Sequence, residues 1–336
     1  MASPALTHAV GTRSVPAPPT TSPTAEELRA LIGPGSPWYE TLAIPTMYLY
    51  GSIPYLIMPT LHPKIAHVLK EKDRILNGSQ PADTAQKGLR RMVNTYEMVA
   101  GIIYNGDEGL EVAHGLFELH RPVAGKFEDG KRYHAWNADM WTWTWGSIVK
   151  AGFDIYVELH GRGPVKGQPF DEFMEQAYQG GVALGQLFGV RHLPGTYAEF
   201  EQYWDEIVRT TLEDNPQARY IVANALQPPK FEQLQWLPDP AWRVLSLPVA
   251  RVIRAGILLG VPDSAHPLIG VERTRLDQAE LLLHKAVWRS LPRPLLSKFA
   301  PAYFAARRRF GTPAWRAEYS RAQLAADRAA AQAASN

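Results

Sequence analysis

Apolar side chains recur at steps of three and four along most of the chain, the pattern of helices that bury one stripe. From Gln86 to Tyr104 the stripe comprises Leu89, Met92, Val93, Tyr96, Val99, Ala100 and Ile103, while Arg91, Thr95, Met98 and Ile102 form a second line. A helix apolar on most sides is buried, which predicts Arg91 near the interior with an anionic partner. Asp107 to His120 follows, with Leu110, Ala113, Phe117 and His120 on one face and Pro122 as the stop.

The same period predicts helices over Pro169–Phe188, Ala198–Leu212, Asn215–Ala225, Asp239–Leu259 (divided by Pro248) and Leu276–Trp288. Nearer the start, Thr24 with Glu26 and Glu27 marks a helix N-terminus that Gly33-Pro34-Gly35 closes. Pro63–Leu76 reads as a helix ended by Asn77-Gly78. Trp141-Thr142-Trp143-Thr144-Trp145 alternates strictly and fits a strand, but Trp141 and Trp145 also share a face in a helix. No other stretch alternates with hairpin turns. The expectation is an all-α fold, a single multi-helix globular domain over residues 25–314. A disordered Pro/Ser/Thr-rich leader (1–24) precedes it and an Ala/Arg-rich tail (315–336) follows.

Leu42–Leu61 is uncharged and about a bilayer long, yet Pro45, Gly51, Pro54 and Pro59 interrupt it. It reads as a buried, kinked segment rather than a span. No secretory signal is evident in the leader. Cytoplasmic residence is the default expectation, with membrane contact at most peripheral, through Leu42–Leu61.

Composition narrows the chemistry. The 336 residues carry 35 Lys+Arg against 33 Asp+Glu, a net charge of +2, which argues against a nucleic-acid partner. There is no cysteine, so disulfides, thiolate-held metals and cysteine nucleophiles are excluded. No phosphate loop, G-x-S-x-G elbow or H-E-x-x-H helix is present. Glu111 and His114 make one Glu-x-x-His pair, where a diiron bundle needs two. His120 has two readings: a satisfied core histidine at a helix C-terminus, or an imidazole donating to iron. Arg91 and Thr95, four apart, are neighbours on one flank. They either make local structural contacts or face a cofactor as a charged donor and a hydroxyl. Trp136, Trp141, Trp143 and Trp145 either fill a core or wall an apolar pocket.

In order along the chain come Leu61-His62-Pro63, Arg91-x-x-x-Thr95, Tyr104-Asn105-Gly106 and Ala113. His120-x-x-Val123-x-Gly125, Tyr133-x-Ala135-Trp136, Gly189-Val190, Pro194 and Tyr203-Trp204 continue the series. Together these resemble the MpaB/rubber-oxygenase family, which includes latex-clearing proteins. The resemblance implies an all-α fold enclosing a b-type haem, with His120 as the proximal iron ligand and Arg91 and Thr95 near the haem. It implies a haem-dependent oxygenase that uses dioxygen on an apolar small molecule, with cleavage of a carbon–carbon double bond and an electron donor among its partners. The alternative is a non-catalytic helical protein that binds haem or an apolar metabolite. One departure stands out: Trp143-Thr144-Trp145-Gly146-Ser147 places Trp145 where many relatives carry a histidine.

Overall fold

The computed structural model describes residues 25–42, 44–73, 120–228, 230, 234–299 and 302–303. The leader, the Gln86–Tyr104 helix with Arg91 and Thr95, the Glu111/His114 pair, most of Asp107–His120 and the tail from 315 lie outside them.

Helices dominate the described chain. α1 (Ala25–Ile32) and α2 (Pro37–Leu42) lie against α6 (Phe170–Leu187). A π-helical turn (Met47–Gly51) and α3 (Pro54–Thr60) lead to α4 (Pro63–Lys72), whose N-cap His62 accepts a hydrogen bond from the Lys64 amide. After the short strands β1 (Ala124–Lys126) and β2 (Arg132–His134) comes α5 (Ala138–His160). α7 (Tyr197–Thr210), α8 (Pro216–Leu226), α9 (Asp239–Gly260), α10 (Arg275–Ser290) and α11 (Arg293–Leu296) complete it. Trp141–Trp145 is therefore helical, resolving the ambiguity left by its alternation.

α5 is the hub. It contacts α2, α3, α6, α9, α10 and the π-helical turn, and its side chains are buried on most sides. The Asn137 side chain accepts from the amides of Asp139 and Met140 to start it, and Gly161 at φ 79° ends it. Three of its indoles donate to backbone carbonyls: Trp141 to Phe188 at 2.9 Å, Trp143 to Met58 at 3.2 Å and Trp145 to Gly181 at 3.0 Å. Buried indole N–H groups need such partners. They fasten α5 to α3 on one side and to α6 and the turn after it on the other.

The uncharged segment Leu42–Leu61 is part of this core. Leu42, Met47, Tyr50, Ile53, Ile57 and Leu61 are all buried, while Leu49 is exposed, so the segment is the buried, kinked one expected. Its breaks follow its composition: prolines begin or interrupt helices, and the π turn brings the Tyr50 backbone against α9. A Cβ added at Gly256 would lie 2.3 Å from the Tyr50 carbonyl oxygen. Among the described residues no single helix is long and apolar enough to cross a membrane.

Several expectations shift. α4 stops at Lys72, with Asp73 extended as its C-cap, rather than running to Leu76. α9 continues through Pro248. The carbonyl of Val244, which loses its donor there, belongs to an exposed part of the helix, where water can replace the lost bond. β1 and β2 pair antiparallel, Gly125 opposite Tyr133, a hairpin that the sequence pattern did not predict.

Candidate functional site around His120 and Trp141

His120 is the last helical residue before the Arg121-Pro122 turn. Its imidazole is half-buried and meets the Trp141 indole edge to face, centroids 5.1 Å apart. Trp141 stands in the first turn of α5, and its bond to the Phe188 carbonyl fixes the indole plane. A histidine from the end of one helix thus abuts the start of the central one.

The turn after His120 is held by the hairpin. His134 Nε2 donates to the Arg121 carbonyl at 2.9 Å, and its Nδ1 accepts from the Trp136 amide at 3.1 Å. Those two bonds require neutral His134 protonated at Nε2. The Ala135 amide donates to the Val123 carbonyl at 2.8 Å, and the Arg121 guanidinium lies 5.7 Å from the Trp136 ring centre. β1 and β2 close because Tyr133 is buried over Gly125, where a Cβ would come within 2.5 Å of the Tyr133 hydroxyl oxygen. That hydroxyl donates to Glu71.

The tryptophans divide into two groups. Trp136 and Trp141 lie against the His120 turn. Trp143 and Trp145 are core. Trp143 stacks on Trp204 with centroids 4.9 Å apart, and Trp145 stacks on Trp38 at 6.2 Å. Trp145 fits a notch in α6: a Cβ at Gly185 would be 2.6 Å from its Nε1. The position that departs from the relatives' pattern is thus occupied by helix-to-helix packing.

His62, part of the Leu61-His62-Pro63 signature, is buried beside Trp143, ring centres 6.4 Å apart. Burial, aided by nearby Lys64, lowers its pKa to about 4, so it is neutral near pH 7. Sequence reasoning did not single out His62 or His134. The signal for both was available in the quoted signatures, which include the first and flank the second.

Residues 38–293, about three quarters of the chain, match the family described as "ER-bound oxygenase mpaB/B'/Rubber oxygenase, catalytic domain". The chain belongs to this oxygenase family. Neither curated proteins nor solved structures give a significant match. The mpaB/rubber-oxygenase domain opens at Trp38, which stacks on Trp145, and closes at Arg293, the first residue of α11. It therefore takes in His120, the hairpin and all of α5.

The donor chemistry here fits haem. A haem iron takes four ligands from its macrocycle and asks the protein for an axial donor, commonly an imidazole. The described part of the site presents one histidine beside an indole. Arg91 and Thr95, the other two expected site residues of this mpaB/rubber-oxygenase domain, lie outside the described residues, as do Glu111 and His114.

Proposed function

We propose that this oxygenase is haem-dependent, holding a b-type haem through His120 and using dioxygen on an apolar small molecule, with oxidative cleavage of a carbon–carbon double bond as its reaction. The observation that carries the reading is the contact of His120 with an indole anchored in the central helix, inside a domain of an oxygenase family.

Haem, when bound, supplies the dioxygen and redox chemistry. The protein's part is to hold and orient. His120 would hold the iron through a ring nitrogen, and the Trp141 indole beside it would restrict rotation of the imidazole. The His134–Arg121 bond fixes the turn on which His120 stands. On the family resemblance, Arg91 would pair a haem propionate or stabilise developing negative charge, and Thr95 would offer a hydroxyl. Trp136 and Trp141, the indoles against the His120 turn, would supply apolar surface there. Electrons enter from a separate donor.

The test is the absorption spectrum of protein expressed with ample haem. Wild type is expected to show an intense porphyrin band and iron equimolar with protein, and His120→Ala to lose both while keeping its helical circular dichroism. A colourless wild type, or an unchanged band in the variant, would refute the assignment.

A further inference from the structure

The four backbone carbonyls from His120 to Val123 all have donors. Those of His120 and Pro122 accept from the Val123 and Ala124 amides, each at 3.1 Å. Those of Arg121 and Val123 accept from β2 and the residue after it, through His134 Nε2 and the Ala135 amide. The turn that follows His120 therefore has little slack of its own, and its position is set by where β2 sits. Successive residues of a strand point to opposite faces. On β2, His134 is turned to the Arg121 carbonyl, while Tyr133 is turned to α4, where its hydroxyl donates to Glu71. The Tyr133 ring already closes the hairpin by covering Gly125. Its hydroxyl does something else: it joins the hairpin to α4.

A second contact fastens the hairpin to the same helix. His67, one turn before Glu71, donates from Nε2 to the Lys126 carbonyl at 3.2 Å. Its ring centre lies 5.3 Å from that of Phe127 and 5.9 Å from that of Tyr133. α4 is in turn placed against α5 at its N-cap, where His62 lies beside Trp143. Trp143 is bonded to the Met58 carbonyl of α3 and stands two residues after Trp141, which meets His120. The contacts thus close a circuit, from His120 through the hairpin, α4 and α5 back to Trp141. Glu71 and Tyr133 form the link in it that joins hairpin to helix.

We propose that Glu71 and Tyr133 are positioning residues: acting through the hairpin, they brace the turn that sets how the His120 imidazole is presented to a haem iron. That role presupposes the haem reading above; the bracing of the turn does not. The experiment compares Tyr133→Phe, which keeps the ring and loses the hydroxyl, with Glu71→Ala and with Glu71→Gln, which keeps an acceptor oxygen. Tyr178→Phe is the control, since it loses a hydroxyl bond to the Pro194 carbonyl away from the circuit. Amide exchange of residues 121–126 is followed by mass spectrometry in the full-length protein with and without haem, and circular dichroism checks folding. The haem-loaded forms are read for the iron–imidazole stretching band and for the rate of haem dissociation. Tyr133→Phe and Glu71→Ala are expected to exchange at Val123 and Ala124 about threefold faster, to shift the band, and to release haem about threefold faster. Glu71→Gln and Tyr178→Phe are expected to match wild type in all three. Exchange in Tyr133→Phe equal to wild type overturns the proposal, as does an unmoved band or an equal change in Tyr178→Phe. A wild type that takes up no haem refutes the haem reading and the positioning role with it, while the exchange rates still report whether the two residues brace the turn.

Discussion

The His120 imidazole and the Trp141 indole meet edge to face at 5.1 Å, and the same indole is tied to the Phe188 carbonyl. The histidine is thus braced by a residue whose own orientation is set from a third element. Trp141→Phe keeps an aromatic wall but removes the donor, leaving the Phe188 carbonyl to find another; a loss of about 1 kcal/mol is expected. Trp141→Ala leaves a cavity and should cost about 3–5 kcal/mol. Urea midpoints give both numbers. On the proposed function, haem dissociates faster from Trp141→Ala than from Trp141→Phe. Equal dissociation rates would remove Trp141 as the brace.

Gly185 and Trp145 are complementary in shape. A methyl at 185 would sit 2.6 Å from the indole Nε1 and 2.8 Å from Leu193 Cδ1. Gly185→Ala is expected to lose about 1–3 kcal/mol by overpacking. Adding Trp145→Phe should return part of the loss, because residues in contact do not behave additively. Losses that simply sum in the double variant would show that the notch is not what holds α5 to α6.

Asp277 is 1% exposed and accepts from Arg251 and Arg254. The hydrogen bonds from Arg254, joined by those from Thr274, hold its carboxyl well below the usual carboxylate range. Asp277→Ala takes the carboxylate partner from Arg254 and leaves Arg251 with Glu280 alone, and should cost about 3 kcal/mol. A carboxyl depressed in the folded state contributes stability that is present above its unfolded value of about 3.9 and lost as pH falls beneath it. A wild-type unfolding midpoint flat from pH 4 down to pH 2, or no midpoint change in Asp277→Ala, would contradict this.

His62 acts at higher pH. Burial lowers its pKa to about 4 from an ordinary value near 6.5, so the unfolded chain binds the proton more readily. Stability should fall as pH drops from about 6.5 to about 4, by up to about 1.4 kcal/mol per pH unit for this group. His160, also lowered to about 4 by burial and by Arg293 and Arg289, acts in the same direction. His62→Gln should flatten part of the slope in urea midpoints taken across that range. An identical slope in the variant would show that His62 is not responsible.

How much of this was legible in the sequence depended on how local the cause was. The helices from Phe170 to Ser290 were readable because each carries its own apolar period. Residues Trp141–Trp145 were ambiguous because an alternation of indole and hydroxyl fits both periods. Burial on both flanks, against Met58 on one and Phe188 and Gly181 on the other, makes the segment helical. The β1–β2 hairpin was missed because three-residue strands hold no period. Its turn at Asp129-Gly130, with Gly130 at φ 79°, and the Tyr133–Glu71 bond hold it from outside. At the candidate site, the helix end at His120 was legible from its proline stop. The neighbours that brace it, His134 and the Phe188 carbonyl, reach it only through tertiary contacts.

The central claim is that the His120 imidazole supplies the axial ligand of a haem iron, and cavity rescue tests it most directly. His120→Gly, expressed with haem, should lose the porphyrin band yet remain folded by circular dichroism, and free imidazole added with haem should restore the band at one haem per chain. A His120→Gly protein that keeps the wild-type band without added imidazole would contradict the account.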